Sequence, residues 1–501
     1  MKRYFFTLAI VIFNYIGYSQ NFNRPVPQNV FQYEYNEPVG ISSGYMLATH
    51  VKMWSNANND PNYIYPYAGV YDSDGYLLWY GSPEVNGLAD FKYYPATDQY
   101  TFTMRSPLLM QSVLLNNQFE PIDTLTTINN EQDIHDIQLL DNGNWMISTI
   151  TWDTMDLSAF TFDGTQGSTQ TIVRGYGYEE IDANGNVINE WDSNDHIDVN
   201  ETLDYWGYDP NNFDYCHGNA FEEDTDGNFL ASYRHLNSIH KINRQTGAIM
   251  WRLGGEQSDF TFVNDSGFSG QHDMRRLPNG DISLFDNANM GTESRGVTYQ
   301  LDTTNWIATK TSEFLYPGGL NATAMGSYRV NDNGTEILGY GRIQRPDPNC
   351  VIIDANDNIL AEYYFRDSVV SYRTILADIN PPQRPEIVCE FNGTDLTLSV
   401  TTAHNNYAWS TGELTSTITI SQPGTYQVWV DQGMGMIGSL PLVVNDLSTA
   451  PCLVGIEELT LEKGSFRWCN VLGQEVKHLE NGRLYLKVYE SGAIEKIIYQ
   501  N

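Results

Sequence analysis

From about residue 60 to residue 380 the chain repeats one phrase: a short apolar or alternating run, a tight Asp-Gly or Asn-Gly pair, then a second such run. The pairs are Asp74-Gly75, Asn142-Gly143, Asn184-Gly185, Asp226-Gly227, Asn279-Gly280 and Asn333-Gly334. Such pairs between apolar runs predict β-hairpins, because both residues tolerate the positive φ that a tight turn needs. Gly227-Asn-Phe-Leu-Ala-Ser-Tyr and Gly280-Asp-Ile-Ser-Leu-Phe read as equivalent strands after the turn. No helical period separates the runs, which disfavours a parallel α/β sheet.

A second phrase alternates with the first, as Asn184-Gly-Asn-Val-Ile-Asn-Glu-Trp191 and Thr246-Gly-Ala-Ile-Met-Trp251. Repeats of this size fit four-stranded propeller blades of about 40–50 residues. A stretch of about 360 residues then predicts six or seven blades over 20–380. The competing reading is a pair of β-sandwiches, which the regular alternation of hairpin phrases makes the weaker fit.

The phrasing stops at the proline-rich linker Asn380-Pro-Pro-Gln-Arg-Pro385. Beyond it, Leu396-Thr-Leu-Ser-Val400, Tyr407-Ala-Trp-Ser-Thr-Gly412, Thr417-Ile-Thr-Ile420 and Gly424-Thr-Tyr-Gln-Val-Trp-Val430 alternate as short strands. Residues 381–450 resemble an immunoglobulin-like module, a small β-sandwich. Within 451–501, Phe466-Arg-Trp-Cys-Asn-Val-Leu-Gly-Gln-Glu-Val476, Asn481-Gly-Arg-Leu-Tyr-Leu-Lys-Val488 and Gly492-Ala-Ile-Glu-Lys-Ile-Ile498 read as three further strands. That segment resembles the C-terminal sorting domain of type IX secretion substrates. At the other end, Lys2 and Arg3 precede the mostly apolar Phe5–Ile16, and Gly17-Tyr-Ser19 offers a small-residue exit. Residues 1–19 therefore read as an export signal, too short and too interrupted to span a bilayer. The expectation is a secreted or cell-surface protein exported through the periplasm, with the type IX machinery as a partner and no membrane-spanning segment.

The 501 residues carry 62 Asp+Glu against 27 Lys+Arg, a formal net charge of −35. That balance argues against nucleic acid as a partner and repels anionic membrane surfaces. Aromatic residues at 13%, 33 of them Tyr, supply enough apolar area to exclude disorder as the main state. Five cysteines without a CxxC pair form neither a disulfide framework nor a structural zinc site. Cys389 and Cys452 flank the 381–450 segment and are free to pair, a question the sequence leaves open. The Asp-rich turns at Glu222–Gly227 and Asp354–Asn358 lack the spacing of a calcium hand and read as plain turns.

Histidine placement brings in the chemistry. His135 lies eight residues before Gly143, His217 ten before Gly227, and His272 eight before Gly280. Three histidines thus fall at the start of an inner strand in separate repeats. Inner strands line the centre of a propeller, so equivalent positions converge there. Arg234 closes the strand that follows His217. Strict alternation along a strand turns His235 away from Arg234, and Asp273 away from His272, where it would brace the backbone. His240 lies close by, and His235 and His240 both stand as further candidates for the site.

These residues carry a resemblance to the bacterial arylsulfate sulfotransferase family. The matching phrases are His135-Asp136…Asn142-Gly143, His217…Asp226-Gly-Asn-Phe-Leu-Ala-Ser-Tyr-Arg234…Trp251-Arg-Leu-Gly-Gly255, and Gln271-His-Asp273…Asn279-Gly-Asp-Ile-x-Leu-Phe-Asp-Asn287, within residues 60–345. The resemblance implies a six-bladed propeller that moves a sulfuryl group from an aryl sulfate to a phenol. It also implies no 3′-phosphoadenosine cofactor, and a transient sulfohistidine; with the cysteine and turn spacing above, no cofactor and no metal are expected. By motif, His272 is the expected nucleophile, with His217, Arg234 and His135 holding the sulfuryl and phenolic oxygens. A non-catalytic surface propeller, acting as an adhesin or glycan-binding module, is the alternative. Such a binder has no need of the full His135, His217, Arg234 and His272 set.

Overall fold

The hairpin turns close as the sequence predicts. At Asn142-Gly143 the glycine takes φ +84° and its N–H donates to the Leu140 carbonyl at 2.9 Å. At Asp226-Gly227 φ is +75° and the bond to the Asp224 carbonyl is 2.8 Å. A side chain there would be strained, which is why glycine ends each pair.

In this computed structural model the chain is nearly all β, with 49% strand and 4% helix. The structure describes residues 24–453 except 42–43, 54–62, 107–109, 163, 204–206 and 367, and beyond them 466–469, 474, 476, 484–489 and 494–498. The export signal read at 1–19 lies outside the described residues. Among the described residues no helix is long and apolar enough to cross a membrane. The chain divides into two units, 1–386 with 401–416 and 426–441, and 387–400 with 417–425 and 442–501.

Among the described residues the first unit holds six successive sheets of four or more strands, antiparallel except where Thr261–Val263 runs parallel to Ile307–Leu315 in the fifth. The second runs through Gly87–Tyr94, Gln99–Arg105, Met110–Leu115 and Pro121–Leu125, and the third through Glu131–Leu139, Trp145–Met155, Thr171–Ile181 and Val187–Asp192. The fourth runs through Gly218–Glu223, Phe229–Tyr233, Ser238–Ile242 and Ile249–Gly254. The fifth begins at His272–Arg276 and the sixth at Ser327–Val330. The first sheet joins Tyr45–Lys52, Tyr67–Tyr71 and Leu77–Gly81 to the late strand Thr374–Ala377. The sixth takes the early strand Tyr33–Asn36 on its outer edge. Each inner strand packs against the next, and Ser327–Val330 meets Thr374–Ala377, so the inner strands close a ring.

Aromatic residues fill the space between sheets. Tyr33 meets Tyr71 edge-on at 5.0 Å, and Trp79 stacks on Phe119 at 4.3 Å. Tyrosine suits these layers because its hydroxyl reaches turn carbonyls at the layer edge. Tyr33 donates to Gly75 at 2.7 Å and Tyr35 to Ser73 at 2.9 Å.

Residues 381–450, read from the sequence as one module, contribute to both units. Tyr407–Trp409, Val428–Gln432 and Gly435–Gly438 extend the first sheet outward, with Met436 opposite Tyr80 and Ile437 opposite Trp79. They pair the open edge of Leu77–Gly81, and the buried Trp429 indole donates to the Leu77 carbonyl at 3.2 Å. In the second unit Ile387–Phe391, Leu396–Val400 and Thr417–Ile420 form an antiparallel sheet. Cys389 and Cys452, 63 residues apart, are joined there by a disulfide. Phe466–Cys469, Leu484–Tyr489 and Ile494–Ile498 form a separate three-stranded sheet.

Candidate active site

The inner strands are irregular at one recurring place. Sheet pairing shifts register between Ala89 and Lys92, opposite Ile147–Thr149, between Gly218 and Ala220, and between His272 and Arg275. Asp90, His217 and Asp273 take φ of +56°, +50° and +54° there. A bulge sets two residues against one and re-aims their side chains. Successive residues such as His135-Asp136 and His272-Asp273 can thereby serve two different places.

The histidines gather in the first of these places. The His135 and His217 rings lie 5.1 Å apart, with Tyr176 and Tyr372 beside them. His272 is buried, and Arg234, His217 and His135 are close enough to act on its charge. The four residues singled out in the sequence are therefore brought together.

Their Nδ1 partners set the three rings apart. His135 Nδ1 lies 2.5 Å from the Asp133 carboxylate, and His217 Nδ1 lies 2.6 Å from the Asp214 carboxylate, which Tyr176 also bonds at 3.1 Å. His272 Nδ1 instead faces the Asn287 side-chain oxygen at 2.7 Å and the Gly270 carbonyl at 3.0 Å. Asn287 is oriented by its own amide, which donates to Ala322 and Met325 carbonyls at 2.6 and 2.8 Å. Facing two acceptors, His272 Nδ1 carries the proton and Nε2 the lone pair. The Met325 N–H approaches that lone pair at 3.3 Å.

Burial first, then the Arg234 guanidinium, holds the His272 imidazole well below its ordinary range, so it stays neutral. Burial also lowers His217, though the Asp214 carboxylate opposes the shift. Burial pushes Asp214 up, but His217, His235 and Arg174 together outweigh it and hold it below the carboxylate range.

Arg234 leaves the strand pattern. Strand Phe229–Tyr233 ends just before it, and Arg234–Leu236 form a short 3-10 turn closed by Asn237 at φ +49°. The alternation that would turn His235 away therefore does not apply, and this corrects the sequence expectation. His235 stacks on His217 at 4.7 Å and 25°. Arg234 lines a cavity of about 340 Å³ with Asn289, Asn321, Thr323 and Arg342, and donates to the Thr323 carbonyl at 2.8 Å. A second cavity of about 420 Å³, with Phe268, Met290 and Leu315 in its wall, shares Ala288 and Gly291 with the first. His240 lies elsewhere, buried in its strand with Ser238 Oγ at 2.9 Å.

The other bulge residues meet at the centre of the ring. Asp273 takes Arg329 on both oxygens at 2.7 and 2.8 Å, with Arg275 and Arg373 at 3.1 Å, so it pairs with arginines where the sequence reading has it bracing the backbone. Asp136 binds Lys92, Arg275 at 3.0 Å and Arg373 at 3.5 Å. Asp90 binds Arg373 and, at 2.9 Å, Lys92. Burial raises the Asp136 carboxyl, but Arg275, Lys92 and Arg373 outweigh it and hold it far below the usual range.

Asp214, His217 and His235 have the donor set of a metal site, with ligand atoms within 4.8 Å of one another. Both Nδ1 atoms are engaged by Asp214, however, and the Arg234 guanidinium lies 3.1 Å from His235 Nε2. A cation already occupies that face, so the cluster is a hydrogen-bonded one. In the Asp-rich turn at 222–227, Asp224 pairs with Lys241 and Arg276.

His50, His235 and His240 are each held down to about 3, by burial above all. Unfolded, each would bind a proton near pH 6.5. A depressed native value stabilises the fold above pH ~6.5, and the contribution is lost as pH falls toward 3. Three such groups remove up to ~4 kcal/mol per pH unit in that window. The urea midpoint should be level from pH 9 to 7 and fall between pH 6.5 and 5. An unchanged midpoint at pH 5 would contradict the neutral, buried state of these rings.

Comparison with known proteins gives a family and distant structural likenesses. No curated protein matches the chain. Among solved structures, a protein of unknown function from Bacteroides caccae is 11% identical, covering 67% of this chain and 99% of its own, at a TM-score of 0.40. Virginiamycin B lyase from Staphylococcus aureus is 10% identical over 74% of this chain and 96% of its own, at 0.32. The β-propeller domain of Cps50 from Myceliophteria thermophila is 9% identical over 73% and 96%, also at 0.32. Residues 107–366, just over half the chain and including His135, His217, Arg234 and His272, match the family described as Arylsulfotransferase (ASST). The chain belongs to the arylsulfotransferase family.

Proposed function

We propose that the chain is a sulfotransferase acting through a sulfohistidine on His272, in a six-bladed propeller formed by the first unit. The observation that carries this reading is the contrast in Nδ1 partners. His272 is paired to an amide oxygen and a carbonyl, and so keeps a neutral ring with its lone pair on Nε2. His135 Nδ1 is paired to the Asp133 carboxylate and His217 Nδ1 to that of Asp214, which opposes the lowering of His217 by burial and lets that ring take a second proton more readily than His272.

The steps follow from these states. His272 Nε2 attacks sulfur as the S–O(aryl) bond breaks. The electron pair leaves on the phenolic oxygen, which takes a proton that His217, steadied by Asp214 on Nδ1, has picked up from solvent on Nε2. The ring becomes an N-sulfoimidazolium whose Nδ1–H stays bonded to Asn287 and Gly270. An acceptor phenol then returns its proton to the carboxylate-paired imidazole and attacks sulfur, and the N–S bond breaks back to the lone pair. Sulfuryl transfer through a loose state, by analogy with phosphoryl transfer, relies on fixed positive donors. Arg234 supplies a planar fork for two sulfuryl oxygens, with Arg342 in the same cavity. Water in the acceptor's place gives hydrolysis with the same residues.

The basic-apolar start of the chain and its three-stranded end support export by the type IX route to the cell surface or medium. Intact-mass analysis of the protein recovered there, after a nitrophenyl sulfate pulse without phenol and without acid, reads both points. The expected mass is that of a chain lacking residues 1–19 and carrying one SO3 on the His272 peptide, lost when phenol is added. A full-length chain would end the export reading. Turnover with no SO3 on His272, or SO3 on another histidine, would end the mechanism.

A further inference from the structure

His235 is not needed for the steps above, yet it is buried beside two of their residues. Its Nε2 lies 3.1 Å from Arg234 Nη1, and its Nδ1 lies 2.7 Å from the Asp214 main-chain carbonyl. A guanidinium can only donate, so Nε2 must hold a lone pair. A carbonyl can only accept, so Nδ1 must hold the proton. One neutral tautomer satisfies both. The other tautomer, or an imidazolium, would set an N–H against the N–H of Arg234.

We propose that His235 is a positioning residue that holds the Arg234 guanidinium in the sulfuryl-binding cavity, and that the Asp214 carbonyl selects the tautomer that permits it. The proposal rests on the reading of Arg234 as the group that binds the sulfuryl oxygens. The Thr323 carbonyl takes Arg234 Nη2 from a second direction, so both ends of the fork are held. Arginine otherwise has rotamer freedom to lose when it binds an anion, and a held fork has lost it in advance. Asp214 couples this to the histidines, since its carboxylate fixes His217 while its carbonyl fixes His235. The two rings stack, with centroids 4.7 Å apart.

The test exploits two amides. In His235→Gln the side-chain oxygen replaces the Nε2 acceptor, whereas in His235→Asn the amide reaches only the Nδ1 place and takes that acceptor away from Arg234 Nη1, Nη2 staying on the Thr323 carbonyl. Binding of a benzenesulfonate, which carries the anionic group but cannot be cleaved, is measured apart from turnover. His235→Gln should bind within about threefold of the parent, and His235→Asn about 10- to 100-fold more weakly, the worth of a hydrogen bond to a charged group. In an Arg234→Met background His235→Asn should have no further effect. Equal binding by the two variants, or an undiminished loss in the Arg234→Met background, overturns the proposal. The tautomer is read independently on the parent protein by 15N NMR of His235. A proton on Nδ1 supports the proposal and a proton on Nε2 overturns it, whether or not the variants fold. Absence of aryl sulfate turnover with these two arms intact would count against the proposed reaction alone.

Discussion

Asp136→Asn should lower the stability of the first unit by about 3–5 kcal/mol, the usual cost of breaking a buried ion pair from one side. The Asp136 carboxylate meets Lys92, Arg275 and Arg373, and accepts the Phe221 N–H at 3.0 Å. Lys92, Arg275, Arg329 and Arg373 face Asp90, Asp136 and Asp273 at the centre of the ring. Losing one carboxylate leaves four cations against two, in a place where solvent cannot screen them. Asparagine nearly keeps the shape and some hydrogen bonds, so the loss measures charge more than packing. Urea unfolding at pH 7.5 checks it, with the exposed Glu256→Gln as a control expected to leave the midpoint in place. A midpoint for Asp136→Asn equal to the parent's would show that the central cluster does not hold the inner strands together.

That cluster was not legible in the sequence. Its acids and bases come from strands of all parts of the first unit, from Asp90 to Arg373, and nothing local marks Lys92 or Arg373 as partners of Asp136. What the sequence does carry is local and periodic. The Asn-Gly and Asp-Gly turns fix hairpin ends, and counting back from them places His135, His217 and His272 at equivalent positions. Alternation fails where the backbone leaves the strand. The 3-10 turn at Arg234–Leu236 brings His235 onto His217, and the bulge at His272–Arg275 sends Asp273 to the arginines. Carboxylate partners of the histidines lay in plain sight as Asp133-x-His135 and Asp214-x-x-His217, but only the bonded geometry shows that His272 lacks one. The strands of 407–438 joined the first sheet because an open edge was there to pair, which is a non-local fact.

His272→Ala should lower transfer from every aryl sulfate donor by about 10³-fold or more, the scale of losing a nucleophile while binding groups remain. His217→Ala should lower it by about 10²–10⁴-fold for unsubstituted phenyl sulfate, the range of a general acid. The two losses should respond differently to the donor. A nitrophenolate leaves without much help from a proton, so the His217→Ala defect should shrink with nitrophenyl sulfate. The His272→Ala defect should not, because the bond to sulfur must form whatever leaves. This difference follows from the two environments. Burial and Arg234 keep His272 neutral, with the lone pair on Nε2 set by the Asn287 oxygen and the Gly270 carbonyl, while the Asp214 carboxylate opposes the lowering of His217 by burial, so that ring takes a proton more readily than His272. Rates for three phenyl sulfates of graded leaving-group acidity, measured on both variants, would separate the roles. If the His217→Ala loss were constant and the His272→Ala loss varied, the two histidines would have to exchange parts.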